Sequence, residues 1–223
     1  MGPGLMNKIS LIIPCYKSNI EQLNQALEYS HLFDETIVHI NDYETLTNFR
    51  FNRKDIIIIY RDKQVTVQEA LNEAIYFSSG NWILPFSDDD FFQSEPLSRL
   101  LNFVRSYDDI ANDIFRYPIY AGNEKDGWHL WGNKEKFDLE DLIDENYIPF
   151  SCLMKKDIWN KVEGFKAGPF SDWKFWLECA KNKAIFHYWD DVIYNHRESH
   201  KETLSNRESI NFNKEEFLKG LYE

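Results

Sequence analysis

Long apolar runs are missing from this chain. The longest, Ile56 to Tyr60, falls far short of the ~20 residues that a membrane-spanning helix needs. No basic stretch followed by an apolar one marks a leader peptide. Cysteine is scarce: Cys15, Cys152 and Cys179 are widely spaced and odd in number. That fits neither a disulfide framework nor a metal cluster and points to reduced thiols in a cytoplasmic protein. Positive charge is outnumbered, with 25 Lys and Arg against 37 Asp and Glu and a formal charge of −12. Such a surface repels phosphate backbones, which argues against nucleic-acid binding. Glycine is sparse as well, nine in 223 residues, and none of it forms a GxGxxG turn or a Walker A loop. The first strand-like run is followed by PCYKS, so no glycine amides cradle a phosphate there.

What is present suffices for one ordinary globular domain. Hydrophobic residues make up 43% and charged residues 28%, and a chain of this length buries roughly 70% of its unfolded surface without staples. Met1 to Leu5 (MGPGL) reads as a remnant ahead of a natural start at Met6 and is left out of the fold reading. Lys8 to Ile13, Glu35 to Ile40, Ile56 to Tyr60 and Trp82 to Phe86 read as buried strands. Between them lie helices: one capped by Ser18 with a stripe of Ile20, Leu23 and Leu27, and one from Val67 to Ser78 stopped by Gly80. Ser94 then caps a helix carrying Leu97, Leu100, Leu101 and Val104 on one face. This alternation implies βαβ units and a parallel sheet. Past Tyr107 the pattern gives way to shorter strands, Asp- and Trp-rich loops and a few helices. One domain over residues 6–223 is expected, with a regular half (6–107), an irregular half (108–205) and a C-terminal helix (206–223). That helix, with Phe217, Leu218 and Leu221, packs on the domain or forms a homodimer contact.

Ligands of open α/β sheets bind beyond the carboxyl ends of the strands, and two acidic sites fall there. Asp42 follows the second strand; Asp88, Asp89 and Asp90 follow the fourth. Adjacent carboxylates repel one another, a cost that disappears if a hard divalent cation such as Mg²⁺ or Mn²⁺ sits among them. The plainer reading is a solvated acidic turn leading into the helix at Ser94. An EF-hand is excluded, because its obligatory sixth-position Gly is Gln93 here.

At these residues the chain resembles glycosyltransferase family 2 and its nucleotide-sugar-binding GT-A fold, over about Lys8 to Ser205. SLIIPCYKS is similar to the family's opening strand and nucleotide-facing turn, ETIVHINDYE to its second strand, and VQEALNEAIYFSSGNWILPFSDDDFF to its long central signature with a DxD motif. IPFSCLMKKDIWNKVEGF resembles the segment after the acceptor loop, and GPFSDWKFWLECAKNKAIFHYWDDVIYNH resembles the family's ED-W helix and following strand. The resemblance implies a Rossmann-like, mostly parallel sheet flanked by helices, with an irregular acceptor-side half. It also implies inverting transfer of a sugar from a nucleoside-diphosphate sugar, a UDP-sugar by family preference, to a hydroxyl of a glycan, glycoprotein or lipid-linked acceptor.

Residue by residue, the resemblance implies Pro14, Tyr16, Asp42, Asn72, Asp88 and Asp89 as nucleotide-sugar contacts. It implies Asp90 and Asp88 as ligands of Mn²⁺ or Mg²⁺. HKETLS resembles the family's closing motif and brings His200 to the metal, with His196 a rival for the same place. Asp172 inherits the role of catalytic base, although Ser171 replaces the Glu that usually precedes it; read without the family, Asp172 is a helix cap. Trp128 and Trp131 of GWHLW, together with Trp173, are candidate acceptor platforms, since Trp offers a flat face to sugar rings. Against that, Trp128 and Trp131 read slightly better as cover for a sheet edge. The spacing of Trp173 and Trp176 with Leu177 and Ala180 favours core packing. His187 reads as a satisfied histidine on a strand. Two other functions compete: a nucleotide-sugar binder that has lost turnover, consistent with Ser171, and a sugar nucleotidyltransferase, which would need the missing Gly-rich loop. No basic amphipathic helix suggests more than peripheral membrane association.

Overall fold

The computed structural model describes residues 7–49, 56–108, 112–198 and 217. Met1–Leu5, His200 and the 206–223 segment apart from Phe217 lie outside the described residues. The first half runs β1 (Ile9–Cys15), α1 (Ile20–Ala26), β2 (Glu35–Ile40), α2 (Tyr43–Asn48), β3 (Ile56–Tyr60), α3 (Val67–Phe77), β4 (Trp82–Pro85), β5 (Phe91–Phe92) and α4 (Ser94–Ser106). The second half adds β6 (Asp113–Arg116), β7 (Ile119–Asn123), β8 (Gly127–Trp131), α5 (Leu139–Asp144), β9 (Leu153–Lys155), α6 (Lys156–Lys161), α7 (Ser171–Lys181), β10 (Ile185–Tyr188) and β11 (Tyr194–Arg197).

Seven strands form the main sheet in the order β10-β6-β9-β4-β1-β2-β3. β1 pairs in parallel with β2 and β4, β2 with β3, and β6 with β10, while β9 runs antiparallel between β4 and β6. This is the mostly parallel, helix-flanked sheet expected from the sequence. Both faces of β1 are covered, which is why its sequence is an unbroken apolar run. Ile9, Leu11 and Ile13 pack with α1 and α4 on one side, and Ile12 packs with α3, α6 and α7 on the other. Leu97, Leu100, Leu101 and Val104 of α4 are fully buried, each worth roughly 1.5–3 kcal/mol relative to exposure. The half read as irregular supplies three strands of a second, four-stranded sheet, β5-β11-β7-β8, which β5 joins from the first half. His187 on β10 is satisfied, as read, by Asp113 of β6 at 2.9 Å.

Local signals differ from the sequence reading in four places. Asn19, not Ser18, caps α1 by accepting from Glu21 and Gln22 N–H. Ser94 is the first residue of α4 rather than its cap. Gly80 does not end α3, which stops at Phe77 with Ser78 as its cap residue. Gly80 is instead where the chain crosses β1: an added Cβ would lie 2.3 Å from Ser10 Oγ and 2.9 Å from Ser10 N. The fourth is Asn72, expected to touch the nucleotide sugar. Its Oδ1 accepts from Trp159 Nε1 at 3.1 Å and Phe165 N–H at 2.9 Å, and its Nδ2 donates to Phe165 C=O at 2.7 Å. Asn72 thus ties α3 to the turn after α6. Asn72→Ala should lower unfolding free energy by about 2–4 kcal/mol, since it leaves buried polar groups unpaired; a urea-unfolding midpoint equal to that of the unaltered chain would contradict this.

Candidate active site

A cleft of about 830 Å³ opens at the carboxyl ends of β1, β2 and β4. β1 lies between β2 on one side and β4 on the other, so the cleft is at the switch point where open α/β sheets bind ligands. Pro14, Cys15 and Tyr16 line it from β1, Asn41 from β2, and Gln64 to Glu69 from the turn into α3. Asp88, Gly168 and Pro169 complete the wall. Of the expected nucleotide-sugar residues, Pro14, Tyr16 and Asp88 therefore face the cleft. Asn41 and Gln68 also do so, although no motif singled them out. A capping box between Thr66 and Glu69 starts α3 and fixes this part of the rim.

Asp42 stands beside the cleft rather than in its lining. Its carboxylate accepts from the backbone N–H groups of Lys17 and Thr45, both at 2.7 Å, and so joins the β1 loop to the start of α2. Partial burial would raise its pKa, but these hydrogen bonds outweigh that and hold it below the usual carboxylate value.

The acidic run after β4 is the most highly charged feature of the site. Asp88 is pushed up to about 7, first by burial and then by the charges of Asp89 and Asp90, although Ser18 Oγ donates to its Oδ2. Burial and the Asp90 charge also raise Asp89. Asp90 is 1% exposed and is held by β11: Arg197 N–H donates to its Oδ1 at 2.9 Å, and His196 Nδ1 lies 3.2 Å from both carboxylate oxygens. Burial alone would lower the His196 pKa, but the Asp90 carboxylate overcomes it and lifts the imidazole to about 9. The Arg197 guanidinium donates to the Asp89 carbonyl and to Gln25 Oε1, and lies over the Phe91 ring at 4.6 Å. His196, the rival that the sequence offered to His200, therefore lies beside the acidic run, and His200 is outside the described residues. The sequence alone did not reveal this arrangement, because β11 pairs with β5 (Tyr194 opposite Phe92) and with β7 (Asn195 opposite Tyr120), both far away along the chain.

Asp172 lies in the first turn of α7, whose cap residue is Phe170, in the left-handed region at φ 50°. The carboxylate does not cap that helix; its Oδ2 accepts from Asn146 Nδ2 at 3.0 Å. The neighbouring Ser171 Oγ accepts from Gln68 Nε2 at 2.8 Å, so the start of α7 is tied directly to the cleft wall.

The tryptophans are not brought together. Trp173 is 5% exposed and donates through Nε1 to Leu142 C=O at 2.6 Å. It packs near Phe217 with ring centroids 4.9 Å apart, which makes it a core residue and corrects its place among the acceptor platforms. Trp128 and Trp131, three apart on β8, project to opposite faces of the second sheet. Trp128 meets Phe91 edge-on at 5.6 Å, and Trp131 packs against the core. The two do not form one platform.

Among the described residues, no three His, Cys, Asp or Glu side chains are gathered as a ready-made metal cage, and no helix is long and apolar enough to cross a membrane.

Comparison with known proteins agrees with this geometry. The model of the family described as glycosyl transferase family 2 matches residues 7–163. An uncharacterized glycosyltransferase, YwdF of Bacillus subtilis, is 24% identical over 190 residues, covering 80% of this chain and 70% of that protein. A PGL/p-HBAD biosynthesis glycosyltransferase of Mycobacterium bovis is 22% identical over 154 residues, covering 65% of this chain and 56% of that protein. Among solved structures, S. aureus TarS 1-349 in complex with UDP-GlcNAc superposes with a TM-score of 0.69 at 17% identity, covering 89% of this chain and 60% of that one. The chain therefore spans little more than half the length of two of these three relatives, and it shares with TarS the fold. On the family match, which covers most of its length, the chain belongs to glycosyl transferase family 2.

Proposed function

We propose that the chain transfers a sugar from a UDP-sugar to an acceptor hydroxyl with inversion, using the cleft for the donor and Asp172 as the base. The observation that carries this reading is the placement of Asp88 in the wall of a switch-point cleft, backed by Asp89 and Asp90. TarS, which shares the fold, is described in complex with UDP-GlcNAc, and that supports a uridine donor. Pro14 and Tyr16 border the nucleotide, and Asp42 retains lone pairs with which to accept a base imide N–H. Asp172 accepts the proton of the acceptor hydroxyl as its oxygen bonds to the anomeric carbon, and the bond from that carbon to the diphosphate oxygen breaks on the opposite face. UDP leaves with the electron pair of that bond, and the configuration inverts. Acceptors of the glycan, glycoprotein or lipid-linked class fit a hydroxyl nucleophile.

The acidic run also suits a divalent cation. Hard carboxylate oxygens from Asp88 and Asp90, with His196 nearby, match Mn²⁺ or Mg²⁺, ions commonly held by one or two carboxylates plus substrate phosphates. The raised pKa of Asp88 marks a carboxylate whose charge is not compensated by the protein. When bound there, such a cation offsets charge on the leaving diphosphate. His196 and Arg197, from β11, hydrogen-bond to Asp90 and fix the loop.

Two outcomes are expected. Asp172→Asn should lower UDP release from UDP-GlcNAc, assayed over a glycan acceptor panel, by about a thousandfold, the scale of general-base catalysis, and leave UDP affinity within about twofold; unchanged turnover would contradict the assignment. The second concerns pH. In the folded state Asp88 holds its proton up to about 7, against 3.8 unperturbed, so the stability contributed by protonated Asp88 is lost as pH rises through that window. Cation binding at pH 6 must displace this proton and at pH 8 need not. The rise in melting temperature on adding Mn²⁺ should therefore be larger at pH 8 than at pH 6, and an equal or smaller rise would contradict the Asp88 site.

A further inference from the structure

Asn146 follows α5 in a loop that the mechanism above leaves without a role. Its side chain makes two hydrogen bonds of opposite sense: Oδ1 accepts from Ile148 N–H at 3.1 Å, and Nδ2 donates to Asp172 Oδ2 at 3.0 Å. The first bond decides the orientation of the amide, because a backbone N–H can be met only by the oxygen. The NH₂ group must then point at Asp172. Both ends of this contact are braced. Asp138 caps α5 by accepting from Glu140 and Asp141 N–H, and Trp173 Nε1, one residue after Asp172, donates to Leu142 C=O in α5. The Asp138 cap fixes the start of α5, and the Trp173–Leu142 bond ties α5 to α7 close to the Asn146–Asp172 hydrogen bond.

We propose that Asn146 is the positioning residue for Asp172, orienting its carboxylate and holding it in the proton-accepting form during transfer. A neutral donor suits this task. It stabilises a carboxylate without neutralising it, whereas a Lys or Arg there would suppress its basicity as a salt-bridge partner. Cys152, a titratable group coupled to Asp172, is fully buried, and that burial pushes its thiol well up; it stays a neutral thiol. With Ser171 engaged by Gln68, Asn146 takes the part of a polar neighbour to the base. The proposal rests on Asp172 being the base, and its test separates the two.

The carboxyl pKa of Asp172 is measured by NMR in protein labelled with ¹³C-Asp, the resonance being assigned by its loss in Asp172→Asn, and UDP release from UDP-GlcNAc is followed in parallel. Asn146→Asp keeps an acceptor for Ile148 N–H but replaces the donor with a carboxylate; Asn146→Ala removes both bonds and serves if the first variant does not fold. Either should raise the Asp172 pKa by about one unit or more and lower kcat on the order of tenfold with the KM for UDP-GlcNAc unchanged. Asn146→Ala combined with Asp172→Asn should cost no more than Asp172→Asn alone. An unmoved Asp172 pKa in the variant that folds overturns the positioning role, whatever happens to turnover. If the pKa moves while Asp172→Asn turns over normally, the contact stands as structure and the base assignment falls with the proposal.

Discussion

Three consecutive carboxylates at the end of a buried strand are electrostatically unfavourable, and the site is organised around that constraint. β4 delivers Asp88, Asp89 and Asp90 into a partly desolvated loop where burial raises the first two. The protein meets the cost on one side only. Asp90 is met from behind by the His196 imidazole and the Arg197 backbone N–H, while Asp88, facing the cleft, is met by the Ser18 hydroxyl and a backbone N–H but by no cationic side chain among the described residues. The loop is therefore rigid where it touches β11 and left carrying unbalanced negative charge where it touches the cleft. A cationic partner, or a proton, is what such an edge binds.

This asymmetry explains why the second sheet exists in so small a domain. β11 pairs with β5, directly after the acidic run, and with β7, so the strands that carry His196 and Arg197 are fixed by backbone ladders rather than by a mobile loop. Rigid support of this kind keeps a site in working geometry. The proposed base arrives from a different direction, on α7, and is registered against the cleft by the hydrogen bond from Gln68 to Ser171. The cleft, the acidic run and the proposed base thus come from separate elements meeting above β1 and β4, with loops outside the sheet carrying the variable parts.

The sequence was most legible where burial is greatest. β1, β2 and β4 could be read because strands buried on both faces become continuous apolar runs, and α3 and α4 because their apolar residues keep a helical period. β5 and β11 are two and four residues long and lack an alternation long enough to detect. The acidic run and Asp172 were legible by composition and resemblance. The internal bonds of Asn72 could not be read from the sequence, because its partners, Trp159 and Phe165, lie 87 and 93 residues away. The same applies to the histidines: sequence offers His196 and His200 four apart, and only the pairing of β11 decides that His196 meets Asp90. For Trp173 the helical spacing pointed to the core, and the structure places it there.

The central claim, that the cleft and its acidic edge bind a uridine diphosphate group together with a divalent cation, is tested most directly by thermal unfolding. The protein is heated with UDP, dTDP, GDP or CDP, each with and without Mn²⁺. At about 100 times its Kd a ligand adds ~2.7 kcal/mol, about 5–10 °C for a chain of this size. The account predicts a rise of that order for UDP with Mn²⁺, a much smaller one for UDP alone, and little for GDP. No shift with any nucleotide, with or without the cation, would contradict it and leave Asp88, Asp89 and Asp90 as a solvated turn.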